Sequence, residues 1–233
     1  MIAENLNRLK DKILQKCTEL NQEPDKLKLV AVSKFFGIKE ITEANRLGIT
    51  DFGENKAQEL RDKYELLGDK VTWHFIGTLQ KNKVKYVVNS ASYIHSVDST
   101  GLAEEINKQA KKLSKVQKIL IEVKTSFEET KSGIAGEDEI FGLAKFCKSL
   151  SNLDLIGLMT MAPFTNNQKI IRKSFSDLRN LKDKLNNQGM NLVELSMGMT
   201  SDFEIAIEEG ATILRIGSAI FGERNYSKDW RQL

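Results

Sequence analysis

The sequence predicts an α/β protein in which one (β/α)8 TIM barrel spans residues 1–233, with an extra helix before the first strand. Eight short runs of apolar, often β-branched residues recur along the chain, and segments with helical spacing lie between them. Continuous apolar runs of this kind are typical of parallel strands that are covered on both faces. The length of 233 residues also fits a barrel, which typically needs about 250. A doubly wound open sheet is the alternative, because strand order cannot be derived from sequence.

The predicted elements alternate along the chain. Spacings of three and four between apolar residues predict helices, and the clearest are at residues 2–20, 38–47, 102–113 and 171–185. The predicted strands are residues 29–32, 49–52, 72–76, 93–97, 119–123, 155–159, 192–195 and 213–216. The helix at 2–20 precedes the first strand and is therefore the extra element.

Composition and charge exclude several classes of protein. Lys and Arg exceed Asp and Glu by only three residues, 35 against 32, so we expect no nucleic-acid surface. No apolar run approaches the ~18–20 residues of a membrane span, and the N-terminus lacks the features of a signal peptide. Cys17 and Cys147 are too far apart for a disulfide framework. We therefore expect a cytoplasmic protein, and a monomer because no long apolar stripe is left over.

Several catalytic motifs are missing from the sequence. There is no P-loop, no dinucleotide-binding glycine motif, no HExxH and no GxSxG. The two histidines, His74 and His95, lie in separate predicted strands, and no cysteines or carboxylates are placed around them as metal ligands. The sequence therefore predicts neither a metal site nor a serine triad.

A barrel collects its functional residues at the C-terminal ends of its strands. Lys34 follows the first predicted strand, Asn55 follows the second, and the third ends in a stretch that contains His74. Lys34 has apolar neighbours, and desolvation there would lower the pKa of its amine and make it nucleophilic toward an aldehyde. A solvated lysine at a strand end is the alternative.

The loops after the seventh and eighth strands have the composition of a phosphate site. They contain glycines and hydroxyl side chains, and the first leads into a predicted helix start at Ser201. The candidate residues are Ser196, Gly198, Met199, Thr200, Gly217 and Ser218. Helix starts and hydroxyls bind anions, and barrels commonly bind phosphate at these two loops. Ordinary loop turns are the alternative.

Together these groups match pyridoxal 5′-phosphate (PLP), which has one aldehyde, one phosphate and one ring nitrogen. Lys34 would react with the aldehyde, and the two loops would bind the phosphate. Arg215, on the eighth predicted strand, would face the ring nitrogen and keep it unprotonated. A structural ion pair between Arg215 and Glu194 is the alternative for the arginine.

A series of sequence blocks resembles one known family. The blocks are LVAVSK at 29–34, FGEN at 52–55, WHFIG at 73–77, HSVD at 95–98, KSG at 131–133, GLMTM at 157–161, SMGM at 196–199 and RIG at 215–217. In these blocks, over nearly its whole length, the chain resembles the pyridoxal phosphate homeostasis proteins. The resemblance implies a barrel of the alanine racemase N-terminal type, in which Lys34 holds PLP as an internal aldimine (a Schiff base). It also implies that Arg215 faces the pyridine nitrogen and that Asn55 and His74 lie near the cofactor.

The resemblance also implies a function in vitamin B6 homeostasis. A family member would carry or buffer PLP without substantial catalysis and so influence amino-acid and keto-acid metabolism. Which apo forms of PLP-dependent enzymes, if any, receive the cofactor stays open, as does a second, looser site at surface lysines such as Lys131. Residues 35–37 read Phe-Phe-Gly where a Thr-Lys-Pro-like turn is usual in the family. This departure bears on cofactor affinity rather than on cofactor identity.

Three other functions remain as alternatives. A PLP-dependent racemase or decarboxylase of this fold typically adds a β-domain and an acid such as Tyr or Cys, and neither is evident here. A phosphosugar aldolase often has a lysine or carboxylate at the end of the sixth strand, and the stretch at 159–161 has neither. An isomerase would need a carboxylate base, for which Glu54 is the candidate, with a solvated loop residue or a neighbour of a helix N-cap as the other interpretation. A pure interaction module would bind no cofactor.

Overall fold

The computed structural model describes residues 1–125, 132–223 and 230–232. Its eight described strands are all parallel, pair in chain order and close into a barrel. They are β1 (Lys28–Val32), β2 (Asp51–Glu54), β3 (Thr72–Phe75), β4 (Tyr93–Val97), β5 (Gln117–Glu122), β6 (Leu153–Met159), β7 (Glu194–Ser196) and β8 (Ile213–Ile216). Val30 of β1 lies beside Arg215 of β8, and this pairing closes the ring. The predicted (β/α)8 barrel is confirmed, and the open sheet is excluded.

Helices surround the barrel, and α1 precedes β1 as predicted. The α-helices of the described ranges are α1 (Ile2–Glu19), α2 (Ile38–Arg46), α3 (Ala57–Leu67), α4 (Val84–Ser90), α5 (Thr100–Lys112), α6 (Glu137–Ser149), α7 (Gln168–Asn187), α8 (Phe203–Glu208) and α9 (Ser218–Phe221). α1 lies against α9, near the C-terminal end of the sequence, where Asn5 Nδ2 donates to the carbonyl oxygen of Ile220 at 3.1 Å. Among the described helices, none has the length and apolar character needed to cross a membrane.

Two predicted strands begin too early. β2 begins at Asp51 rather than at residue 49, and β7 begins at Glu194 rather than at residue 192. Both runs start with a buried apolar residue that belongs to the preceding turn. In the second case the side chain of Asn186 fixes that turn, because it accepts from the N–H of Leu192 at 2.6 Å and donates to its carbonyl at 2.8 Å. Burial alone therefore does not mark the start of a strand.

The barrel interior is filled partly by apolar and partly by polar side chains. The apolar group consists of Val30, Leu120, Met159 and Ile213. The buried polar group includes His74, His95, Ser196 and Arg215. Barrel interiors are mainly filled with branched apolar residues, and buried polar groups need hydrogen-bond partners. The four polar side chains meet this need by hydrogen bonds with one another.

Candidate functional site

A cavity of about 560 Å³ opens at the C-terminal ends of the strands. Seven of the ten predicted site residues line it, namely Lys34, Asn55, Met199, Thr200, Arg215, Gly217 and Ser218. The rule that a barrel collects its functional residues at this face therefore brings together residues that are up to 184 positions apart, from 34 to 218.

Lys34 is half-buried, and hydrogen bonds fix the chain on both sides of it. Ser33, directly before it, donates its hydroxyl to Glu54 Oε1 at 2.6 Å, and the N–H of Phe35, directly after it, donates to Glu59 Oε1 at 2.8 Å. Phe35 has a φ of +70°, a left-handed conformation that is uncommon outside glycine. The two carboxylates therefore hold an unfavourable turn in place and fix the course of the backbone through Lys34.

Lys63 of α3 is the centre of this polar cluster. Its ammonium donates to the carbonyl of Ser33 at 2.9 Å, and to Glu54 Oε1 and Glu59 Oε1 at 2.8 Å each. The side chains of Lys63 and Glu54 are wholly inaccessible to solvent, and burial raises the pKa of Glu54 to about 7. The interpretation of Glu54 as a solvated loop residue is therefore wrong. Because its contacts are with this cluster, it is also poorly placed to act as the base of an isomerase.

The loops after β7 and β8 meet through their hydroxyl groups. Ser218 Oγ donates to Thr200 Oγ1 at 3.2 Å, and the N–H of Ala219 approaches the same oxygen at 3.4 Å. The two loops that the sequence suggests for phosphate therefore lie side by side at the cavity. They present two hydroxyls and the Gly217 backbone, where no side chain blocks the approach of a ligand.

The helix start predicted with Ser201 as its N-cap residue is one residue too early. α8 begins at Phe203, and Asp202 is its N-cap residue. The reason is that the Asp202 carboxylate turns back toward the loop and accepts from the N–H of Met199 at 2.5 Å. One backbone donor of the loop is thus already used by the protein itself.

Three predicted site residues lie behind the cavity wall. Gly198 has a φ of +92°, and a Cβ there would lie 2.6 Å from the Cβ of Ala206, so this glycine lets the loop approach α8 closely. Ser196 and His74 have no exposed surface, and their side chains make contacts inside the barrel. Position near a strand end therefore predicted the end of the barrel at which these residues lie, but it did not distinguish residues that line the cavity from residues behind its wall.

Arg215 lines the cavity and is almost entirely buried. Its Nη1 donates to Ser196 Oγ at 2.6 Å, and its Nη2 donates to the carbonyl of Thr160 at 2.9 Å. Burial lowers the pKa of Arg215 to about 10, which leaves the guanidinium charged at neutral pH. The alternative ion pair with Glu194 is not formed, because Glu194 accepts from Thr212 Oγ1 instead.

The sequence interpretation missed Glu122, at the end of β5, which also lines the cavity. Ser132 Oγ donates to its Oε1 at 2.6 Å, and burial raises its pKa. A carboxylate at the end of an otherwise apolar strand is the signal that could have found it. The other missed lining residues include Thr78, Ser132, Met161, Phe164 and Ser201. Lys131, considered above for a second site, lies outside the described residues.

Two larger cavities lie elsewhere in the molecule. One of about 710 Å³ lies at the N-terminal ends of the strands beside α1, and one of about 750 Å³ lies between α6 and α7. Neither has an arginine among its described lining residues. The combination of a lysine amine, a guanidinium and paired hydroxyl loops therefore selects the cavity at the C-terminal face, although it is smaller.

Comparisons with known proteins agree on one family. The sequence profile of the alanine racemase N-terminal domain matches residues 2–225. The pyridoxal phosphate homeostasis protein of Aquifex aeolicus is 44% identical over 226 residues, which cover 96% of this chain and 99% of that protein. The protein of the same name from Haemophilus influenzae is 40% identical over 233 residues, with 97% of each chain covered. The structure of PipY from Synechococcus elongatus with PLP bound has a TM-score of 0.84 and 34% identity, and the match covers 95% of this chain and 100% of that one.

Proposed function

Because the chain belongs to the pyridoxal phosphate homeostasis proteins of the alanine racemase N-terminal domain family, we propose that it binds PLP in the cavity at the C-terminal ends of its strands and carries or buffers the cofactor. The observation that carries this proposal is the presence of Lys34, Arg215 and the Thr200–Ser218 hydroxyl pair in one cavity of about 560 Å³. That volume is within the ~300–1,000 Å³ of typical small-molecule sites.

The donor set of the cavity fits the functional groups of PLP. A lysine amine suits the aldehyde, hydroxyls and a glycine backbone suit the phosphate, and a guanidinium suits an unprotonated ring nitrogen. The side-chain oxygen of Asn55 is buried and has no hydrogen-bond partner within the described part of the chain. Because buried polar atoms are normally paired, this oxygen suits a ligand that brings a donor, such as the ring hydroxyl of PLP.

Each of these residues then has a defined task. Bound PLP supplies an aldehyde that bonds covalently to an amine, and the resulting chromophore absorbs visible light. Lys34 would provide that amine, with the Lys63 cluster fixing the backbone around it. Thr200 and Ser218 would bind the phosphate. Arg215 would donate a hydrogen bond to the ring nitrogen, and its permanent charge would keep that nitrogen unprotonated.

We infer a carrier rather than an efficient enzyme from the poverty of proton-transfer groups at the cavity. Among its described lining residues, the ionisable ones are Lys34, Glu122 and Arg215. Racemases and decarboxylases need a positioned acid or base opposite the lysine, and neither a tyrosine nor a histidine lines the described cavity. We therefore expect turnover of amino acids well below ~1 per second, and release of PLP to apo forms of PLP-dependent enzymes as the relevant activity.

The test compares the visible absorbance of three purified proteins after addition of PLP and removal of the excess. Wild-type protein should keep a visible band that borohydride bleaches, leaving the cofactor on the peptide that contains Lys34. Lys34→Ala should lose the band. Lys39→Ala, which removes an exposed lysine at the start of α2, should keep it. A wild-type protein that retains no PLP would refute the proposal.

A further inference from the structure

The buried polar side chains of the barrel interior form one continuous chain of hydrogen bonds. Arg215 Nη1 contacts Ser196 Oγ at 2.6 Å, and Ser196 Oγ contacts His95 Nδ1 at 2.9 Å. His95 Nε2 contacts His74 Nδ1 at 2.9 Å, and His74 Nε2 contacts Asp51 Oδ1 at 2.8 Å. We call this set the interior chain. It crosses the barrel from β8 and β7 to β4, β3 and β2.

The two ends of the interior chain lie at opposite faces of the barrel. Arg215 lines the cavity at the C-terminal face, whereas Asp51 begins β2 and lines the cavity at the N-terminal face. The Asp51 side chain keeps 16% of its surface exposed, while the two histidines keep none. The interior chain therefore connects the candidate cofactor site with solvent on the other side of the molecule.

We propose that Ser196, His95 and His74 are positioning residues that hold the Arg215 guanidinium at the cofactor cavity, and that the whole interior chain has a single direction of hydrogen bonding that ends on Asp51. The positioning part of this inference rests on the proposed function, because it assumes that Arg215 faces PLP. The direction of the chain does not depend on PLP.

The direction follows from the chemistry of the end groups. A guanidinium can only donate, and an ionised carboxylate can only accept. Asp51 therefore requires a proton on His74 Nε2. If His74 is neutral, its Nδ1 accepts, which requires a proton on His95 Nε2. If His95 is also neutral, its Nδ1 accepts from the Ser196 hydroxyl, whose oxygen in turn accepts from Arg215. A single assignment of protons thus satisfies all four contacts.

The surroundings favour neutral histidines. Burial lowers the pKa of His74 and places that of His95 well below its ordinary value. The charged and titratable groups that face the pair include Asp51 of β2, Lys28 of β1, Glu194 of β7 and Arg215 of β8. Tyr93 of β4 stacks on the His74 ring at 4.3 Å and binds Lys28 Nζ at 3.0 Å. Lys28 and Arg215 are cations and disfavour a positive charge on either histidine. Among the described residues, Asp51 is the one anion that contacts a histidine directly.

The assignment can be measured in the protein without PLP. The whole protein has two histidines, so ¹⁵N labelling of histidine gives only two rings to resolve by NMR. We expect both rings to be neutral with the proton on Nε2, at neutral pH and at pH 6. A proton on Nδ1 of either ring, or a doubly protonated ring at neutral pH, would overturn the direction of the chain.

Coupling along the interior chain is tested at Asp51, the end that lies farthest from the candidate cofactor site. Asp51→Ala removes the acceptor that sets the direction, so His95, which Asp51 does not touch, should populate both tautomers. Asp154→Ala makes the same change at an exposed position of β6 and should leave both rings as in the wild type. An unchanged His95 in Asp51→Ala would show that the contacts do not act as one chain.

The positioning role is tested with bound PLP. Ser196→Ala removes the link between Arg215 and His95, and we expect the dissociation constant for PLP to rise about tenfold and the visible band to shift. Ser96→Ala is the matched control: it lies on the same strand as His95, is equally buried, and its hydroxyl has no hydrogen-bond partner among the described residues. An unaltered band and affinity in Ser196→Ala would refute positioning, whatever the tautomers. If wild-type protein binds no PLP, the proposed function fails while the NMR measurements still decide the chain.

Discussion

Replacing Lys63 with methionine should destabilise the protein more than almost any other single change of a charged residue. The ammonium of Lys63 makes three hydrogen bonds of 2.8–2.9 Å, and hydrogen bonds that involve a charge contribute about 1.5–3 kcal/mol each. Burial of the methionine side chain would offset about 1.5–3 kcal/mol of the stability lost with these hydrogen bonds. The variant also leaves Glu54 and Glu59 buried without their cation, and removal of one partner of a buried pair costs about 3–5 kcal/mol. We therefore expect Lys63→Met to lower the free energy of unfolding by about 3–5 kcal/mol.

The assay is thermal and urea unfolding of wild-type protein and Lys63→Met. For a chain of this size, each kcal/mol shifts the melting temperature by about 2–4 °C, so we expect a decrease of roughly 6–20 °C. Lys173→Met is the control, because Lys173 forms an exposed pair with Asp177 at 2.8 Å on the surface of α7, and exposed pairs contribute little. The control should melt with the wild type.

The pH dependence identifies the cause of the loss. Burial raises the pKa of Glu54 to about 7, and loss of the Lys63 cation would raise it further. A carboxyl group whose pKa is raised on folding stabilises the fold below its unfolded pKa of about 4.5, and that contribution disappears as the pH rises through the folded pKa. The difference between Lys63→Met and wild type should therefore be larger at pH 8 than at pH 5.5. Adding Glu54→Gln and Glu59→Gln should restore at least half of the loss. A loss below about 1 kcal/mol, or an equal loss at both pH values, contradicts the reasoning, since a buried unpaired charge is costly.

Three further predictions concern the site, helix α6 and the interior chain. Gly77→Ala would place a Cβ 2.2 Å from the backbone oxygen of Asn55, so we expect a loss of about 1–3 kcal/mol and weaker PLP binding in a titration followed by absorbance. Gly142→Ala, in α6, would place its Cβ more than 4 Å from every described atom outside the neighbouring residues and backbone of its own helix, and it should instead stabilise the protein by about 0.5–1 kcal/mol. The pKa values of both histidines are lowered by burial, so below pH 6.5 the unfolded chain takes up protons that the folded protein does not. The free energy of unfolding should therefore decrease as the pH falls, by up to about 1.4 kcal/mol per pH unit for each histidine, and urea titrations of His95→Asn should show a shallower decrease.

The fold could be predicted almost completely because apolar periodicity records which faces are buried. The errors at β2 and β7 arise where a turn is as buried as the strand that follows it. At the site, the strand-end rule located Lys34 and Arg215 because barrel topology alone brings strand ends together. It could not identify Lys63, whose role depends on which face of α3 meets β2. The contact between His95 and Ser196 spans 101 residues of sequence and two strands that are not neighbours, so no local pattern could reveal it.

The two buried polar systems support Lys34 and Arg215, which we propose bind opposite ends of PLP, and we expect the two systems to respond differently to pH. The cluster around Lys34 contains Glu54, whose pKa burial raises to about 7, so its charge changes in the neutral range. The interior chain behind Arg215 contains two histidines whose neutral forms burial favours, so its charge changes less over the same range. A change between pH 6 and 8 should therefore alter how firmly the backbone is held around Lys34 more than it alters the support of Arg215. If so, the rate at which PLP leaves wild-type protein should vary with pH in this interval, and Glu54→Gln should abolish that variation. A pH-independent release rate in the wild type would mean that the charge of Glu54 does not affect the Lys34 turn. The two buried polar systems would then not differ in their response to pH.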